Sequence, residues 1–295
     1  MMTSALAIEQ SPTFSPVSSP SSSPVPFVKW AGGKGRLLSQ LRPLLPRGVE
    51  HMRHVEPFVG GGALFFSRRP GRALLTDINP SLVSTYQAVR DDVDTVIRAL
   101  QGLARGHSKD AYYEVRERYN QGRRLSKARR AAMFIYLNKT CFNGLHRVNR
   151  KGEFNVPVGS YKNPRIVDES GLRTASELLR TASIERAGFE HLLESAKPGD
   201  FVYFDPPYEP VSETASFTAY SSGGFGRQDQ TRLRDVYRAL DRRGCKLMLS
   251  NSDVPFIREL YADFQVDTVA APRAINCNAK KRGKVSEVVV RNYLH

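Results

Sequence analysis

Phe201-Val-Tyr-Phe-Asp-Pro-Pro-Tyr208 decides how the rest of the chain is read. Phe201 to Phe204 form an uninterrupted run of aromatic and β-branched residues, the pattern of a strand buried on both faces of a parallel sheet. The run stops at Asp205, because Pro206 and Pro207 have no N–H and cannot extend a ladder. A residue before proline is held extended, which places the Asp205 carboxylate at the carboxyl end of the strand. Open α/β sheets bind their ligands at that edge. One strand end thus gathers a carboxylate, two stiff carbonyls and the Tyr208 ring.

That set suits the chemistry of an amine on a nucleobase. Such an amine is a poor nucleophile, because its lone pair is delocalised into the ring. A carboxylate and a backbone carbonyl that both accept from the NH2 group localise the lone pair, and the Pro206 carbonyl is an acceptor already in place. An aromatic ring such as Tyr208 can stack on a base that has left the duplex. An ordinary Pro-Pro turn is the alternative, so the other motifs must decide.

Upstream, Phe27-Val-Lys-Trp-Ala-Gly-Gly-Lys-Gly-Arg36 leads into a helical pattern at Leu37, Leu38 and Leu41. It is not a phosphate-binding loop: Val28 stands where that motif needs glycine, and Gly35 where it needs Ser or Thr. Trp30 beside a glycine turn and Lys34 suggests a pocket instead, with backbone open to a ligand and a lysine able to meet a carboxylate. His54-Val-Glu-Pro-Phe-Val-Gly-Gly-Gly-Ala-Leu-Phe-Phe66 reads as strand, glycine turn and helix, an arrangement on which a nucleotide-like ligand lies. Phe65 occupies the third glycine position of the dinucleotide fingerprint, so that fingerprint is not met. The next strand, 72–76, runs into Asp77, 17 residues after Gly60, about where an acidic residue holds ribose hydroxyls. Asp77 can also open an Asx turn into a helix capped by Asn79 and begun by Pro80, and the two roles are compatible.

Residues 81–101 read as one helix with an apolar stripe through Val83, Val89, Val93, Val96, Ile97 and Leu100. From 105 to 150 the chain turns basic, with Arg123, Arg124, Lys127, Arg129, Arg130, Arg147 and Arg150 among Tyr112, Tyr113 and Tyr119. Ser126 is placed to cap a helix, and Gly144, Gly152 and Gly159 predict hairpins in the loop that follows. A basic helical insertion carrying a hairpin is a candidate DNA reader. Most of its helix arginines read individually as a solvated face, whereas Arg147, beside Asn143-Gly144 on the loop, reads as functional. Beyond residue 172, helices at 172–180, 189–196, 230–243 and 254–262 alternate with strands at 182–187, 245–250, 264–270 and 285–293. The fold class is α/β, a doubly wound, mostly parallel sheet interrupted by a mainly helical insertion.

The bulk properties agree. At 295 residues and 40% apolar content the chain can bury a large core. No 18-residue apolar run and no signal-peptide pattern occur, which excludes a membrane-spanning helix and predicts a cytoplasmic protein. Cys141, Cys245 and Cys277 have neither disulfide nor zinc spacing and read as reduced thiols. The 44 Lys and Arg against 29 Asp and Glu, a net +15, favour a polyanionic partner. Residues 1–26 are a Ser/Pro-rich tail expected to be disordered. The division that follows is 27–88 with 168–295 as the catalytic domain and 89–167 as a target-recognition insertion.

From about Phe27 to Tyr293 these motifs, in this order, resemble the Dam-type, D12-class DNA adenine methyltransferases. The resemblance rests on Phe-Val-Lys-Trp-Ala-Gly-Gly-Lys at 27–34, Glu-Pro-Phe-Val-Gly-Gly-Gly at 56–62 and Asp-Ile-Asn at 77–79. The 136–159 block, with Asn-Gly-Leu-His-Arg-Val-Asn, and Asp-Pro-Pro-Tyr at 205–208 complete it. It implies a Rossmann-like fold and S-adenosylmethionine as methyl donor, with Trp30, Lys34, Phe58, Gly60, Asp77 and Asp205 as cofactor-binding positions. Asp205, Pro206 and Tyr208 become the catalytic set for an adenine turned out of double-stranded DNA, with no metal and no covalent enzyme intermediate. Lys29, Leu145, Arg147 and Pro157 match positions that read GATC, and Arg147 is the guanine reader. Asn143 matches a residue inserted where the base has left, and Lys162 a phosphate contact. His146 and Val148 depart from residues seen in some GATC enzymes, and Gly188-Phe189 replaces a frequent acidic residue, which leaves the cofactor's adenine pocket unassigned. The implied enzyme is a monomer. An RNA or protein-amide methyltransferase, or a non-catalytic DNA-binding relative, is the alternative. The first more often carries Asn-Pro-Pro-Tyr, and the second predicts a decayed cofactor motif.

Overall fold

The computed structural model describes residues 25–122, 125–211, 224–272 and 284–294. Nearly all of the tail, Arg123, Arg124 and Cys277 lie outside them. Among the described residues one sheet holds seven strands: β1 His54–Glu56, β2 Ala73–Asp77, β3 Ala182–Arg186, β4 Phe201–Phe204, β5 Lys246–Ser252, β6 Gln265–Pro272 and β7 Lys284–Arg291. Their order is β3-β2-β1-β4-β5-β7-β6. The pairs from β3 to β5 are parallel, and β7 runs antiparallel between β5 and β6.

The order reverses between β1 and β4, which pair His54 with Phe201 and Val55 with Val202. The exits of these strands therefore diverge and leave a crevice at the carboxyl edge. Alternation along β4 feeds both faces. Val202 and Phe204 join Leu233, Val236, Tyr237 and Leu240 of the Arg227–Arg242 helix. Phe201 and Tyr203 meet Leu37, Leu41 and Leu64 on the other side. All four β4 residues are buried, as the apolar run predicts.

The single helix expected at 81–101 is two, Pro80–Asp91 and Val93–Arg105. Asp92 leaves the helical region (φ −149°) and its carboxylate accepts from Thr95 N–H, so a capping side chain outcompetes propagation. The apolar stripe survives the break because both helices face one core. Ser126 caps the Lys127–Thr140 helix through Arg129 N–H. That helix is buried along most of its length and packs on both earlier ones. Where several hairpins were expected after it, the chain forms one irregular hairpin, held by the bridges Cys141–Val158 and Val148–Phe154. Cys141 and Cys245 are free and buried, and burial pushes both thiols up to about 11. No helix among the described residues is long and apolar enough to cross a membrane.

Candidate active site

The exit of β4 is built from buried polar contacts. Lys34, 5% exposed, sets its ammonium 2.6 Å from Asp205 Oδ1, donates to Gly32 O at 2.7 Å and lies 4.6 Å from the centre of the Tyr208 ring. Desolvation raises the Asp205 pKa to about 6, and the Lys34 charge restrains the rise. The carboxylate is thus ionised at neutral pH and engaged from one side. The next carbonyls differ in their commitments. Pro207 O accepts from Gln230 Nε2 at 2.9 Å, while Pro206 O accepts no hydrogen bond among the described residues. Asn251 Oδ1 accepts from Glu209 N–H at 3.0 Å, and Asn251 Nδ2 donates to Gln230 Oε1 at 3.1 Å. Gln230 and Asn251 are both fully buried. Sequence reasoning missed this pair. Its one signal was a glutamine sharing the buried stripe of Leu233, Tyr237 and Leu240, since buried amides exist to satisfy partners.

The exit of β1 is bare backbone. Gly60 adopts φ +47°, and a Cβ there would come within 2.7 Å of Trp30 Cδ1, so Trp30 packs directly on the turn. Gly60 N–H donates to Asp77 Oδ2 at 3.2 Å and Asn79 N–H to Asp77 Oδ1 at 2.9 Å, so the Asx turn forms. Asn79 Oδ1 caps the following helix through Ser81 and Leu82 N–H. Burial raises the Asp77 pKa. Phe58 stacks on Phe189 at 5.7 Å and meets Phe225 edge-on at 5.8 Å, while Ile78 stands 71% exposed beside Gly188. Beneath the turn, fully buried His54 places Nε2 2.7 Å from Glu56 Oε1, and Arg68 lies 2.7 Å from His54 Nδ1. Burial raises Glu56 to about 8 and lowers His54 and Arg68, the last to about 10.

The hairpin is joined to this edge at its root. Asn138, 2% exposed, accepts from Lys29 N–H at 2.7 Å and donates to Lys29 O at 2.8 Å and Gly144 O at 3.1 Å. Gly144 has φ +65°, and a Cβ would strike the Lys29 side chain. Lys29 Nζ donates to Tyr161 Oη at 3.2 Å. His146 stacks on Trp30 at 5.4 Å, so the hairpin touches the residue that packs on the Gly60 turn. Asn143, Leu145, Arg147, Pro157 and Lys162 are all exposed, as is Lys29. Asn143 holds φ +54°, a region asparagine tolerates. Arg147 is aimed by Asn155, through Nε to Oδ1 at 2.8 Å and a second nitrogen to the carbonyl at 3.2 Å.

A mostly parallel sheet whose neighbouring strand exits are a bare glycine turn and a carboxylate followed by two prolines matches an α/β methyltransferase fold. Residues 30–275 match the model of the D12 class N6 adenine-specific DNA methyltransferases, and the chain belongs to that family. A type II methyltransferase of Lactococcus lactis subsp. cremoris is 44% identical over 272 residues, covering 91% of this chain and 95% of that one. One of Methanocaldococcus jannaschii is 44% identical over 285 residues, with 91% and 99% covered. The DNA adenine methylase of Escherichia coli is 37% identical over 265 residues, with 89% and 93% covered.

Proposed function

We propose that this enzyme methylates N6 of an adenine turned out of double-stranded DNA at GATC, with S-adenosylmethionine as donor. The observation that carries the reading is the pair of acceptors leaving β4, the Asp205 carboxylate and the uncommitted Pro206 carbonyl, beside the β1 turn. Both accept from the adenine amine, localising its lone pair, and Asp205 is the nearest base for the proton released. Tyr208 stacks on the base.

The residues of the β1 side fit the donor. Gly60 leaves room at the turn, Asp77 ends β2 where ribose hydroxyls are held, and Phe58 offers a ring to a flat heterocycle. Trp30 and the Lys34–Asp205 pair close the methionine end. When bound, S-adenosylmethionine supplies a sulfonium-activated methyl group for direct transfer to the amine nitrogen. Lys29, Leu145, Arg147 and Pro157 read the site, Asn143 fills the gap in the duplex and Lys162 meets phosphate. We assign target recognition to 89–167 and catalysis to 27–88 with 168–295, in a cytoplasmic monomer.

Labelled S-adenosylmethionine offered with duplexes holding GATC, a scrambled site, or GATC already methylated at adenine tests this. Transfer to the first alone is the expected result. Transfer to other adenine sites would keep the chemistry and overturn the GATC assignment, and cofactor binding without DNA methylation would return the RNA or protein substrate.

A further inference from the structure

We propose that Glu287 is a positioning residue that holds the Tyr208 ring in the attitude needed to receive the extruded adenine; the inference rests on the base-stacking role given to Tyr208 above. Tyr208 Oη donates to Glu287 Oε2 at 2.7 Å. That length is typical of a hydroxyl donating to a carboxylate, a stronger bond than one between neutral groups.

The topology explains how a residue 79 positions away reaches the site. Because β7 runs antiparallel, its opening residues lie at the edge where β4 and β5 end, and Glu287 pairs with Ser252 on β5 and Val269 on β6. Glu287 therefore lies on a central strand, in a sequence that continues Val288-Val289-Val290, all buried. Glu287 itself is half-buried, and a partly desolvated carboxylate gains from a hydrogen-bonding partner. Tyr208 is that partner.

Among the described residues no hydrophobic cluster includes Tyr208, so packing there does not orient its ring. Two polar contacts do: Lys34 over one face at 4.6 Å and Glu287 on the hydroxyl. A tyrosine side chain has two torsions: the hydrogen bond on the distal oxygen fixes the first, and the Lys34 cation over the ring face restrains the second, whose axis passes through that oxygen. The base must lie flat on the ring while its amine meets Asp205 and Pro206 O, so a ring free to swing loses that register and slows the reacting geometry. Cofactor contacts at the β1 turn do not depend on it.

The test compares E287A, Y208F, the double variant, E287Q and Y208A. Three quantities are followed: single-turnover methylation, cofactor affinity, and fluorescence of 2-aminopurine placed at the target adenine. E287A and Y208F each remove the same hydrogen bond, so each should slow methylation roughly tenfold, as loss of one charge-assisted bond allows. The double variant should be no slower than either single one. Both singles should change the 2-aminopurine signal alike and leave cofactor affinity and melting temperature near those of the parent. E287Q, which keeps an acceptor oxygen, should recover most of the rate lost in E287A. Additive losses, a parental rate in E287A, or a rate loss explained by melting would overturn the proposal. Y208A separates it from the reading beneath it: if Y208A abolishes rate and signal while E287A is parental, only the Glu287 role fails. If Y208A is also parental in both, base stacking by Tyr208 fails.

Discussion

The exit of β4 and the hairpin after Thr140 treat their polar groups in opposite ways. At β4 three groups of residues 207–209 are tied to partners from distant elements: Pro207 O to Gln230, Glu209 N–H to Asn251, Tyr208 Oη to Glu287. The Pro206 carbonyl, beside the Asp205 carboxylate, accepts no hydrogen bond among the described residues. In the hairpin the backbone is tied, at the root through Asn138 and the Cys141–Val158 bridge and further out through the Val148–Phe154 bridge and Asn120, while the side chains at 143, 145, 147 and 157 are exposed. Chemistry needs acceptors that do not reorganise during the reaction, whereas reading a duplex needs donors that stay free until the partner arrives. Arg147 lies between the extremes, aimed by Asn155 yet exposed.

The contrast can be broken most decisively at Asp205. D205A should lower methyl transfer by about 10²–10³-fold or more, as removal of a preorganised group does; a few-fold loss would show that the β4 exit is not the reacting edge. Acidity probes the same group without mutation. Its pKa, raised to about 6, means that the carboxylate form is present above that value and protonated below it. Activity should therefore hold above pH 6 and fall about tenfold per unit below, for a single ionisation. A profile flat to pH 5 would contradict it.

On the hairpin side, R147A should cost about 1–3 kcal/mol of discrimination between GATC and a one-base variant, with no change in melting. Competition binding measures it, and unchanged discrimination would move the guanine contact elsewhere. Q230L should show the reverse signature. Stranding Pro207 O and Asn251 should lower stability by about 1–3 kcal/mol in thermal melting and slow methylation, with discrimination kept. The smallest effect belongs to K162A, which should weaken binding to all duplexes alike and reduce the salt slope by about one.

Local chemistry made much of the fold legible in the sequence. Four apolar residues ending in Asp-Pro-Pro can be little but a buried strand with a carboxylate at its tip, and β4 is that strand. Asn79 before Pro80 and Ser126 before Lys127 announced their helices, because capping acts within one turn. The same local logic failed at Asp92, where the apolar stripe continues at helical spacing and masks a break that one carboxylate makes.

By itself the sequence marked the residues proposed for the chemistry, since Asp205, Pro206, Tyr208 and the Gly60 turn stand out through backbone constraints carried in neighbouring residues. Only the tertiary structure decided who supports them. Gln230 and Asn251, 21 positions apart, meet because a helix packs on the strand that follows it. Glu287 reaches Tyr208 because β7 runs against its neighbours, and an alternating or apolar strand reads the same in either direction. Direction and partnership are set by how the whole sheet buries its faces, which no stretch of residues states alone.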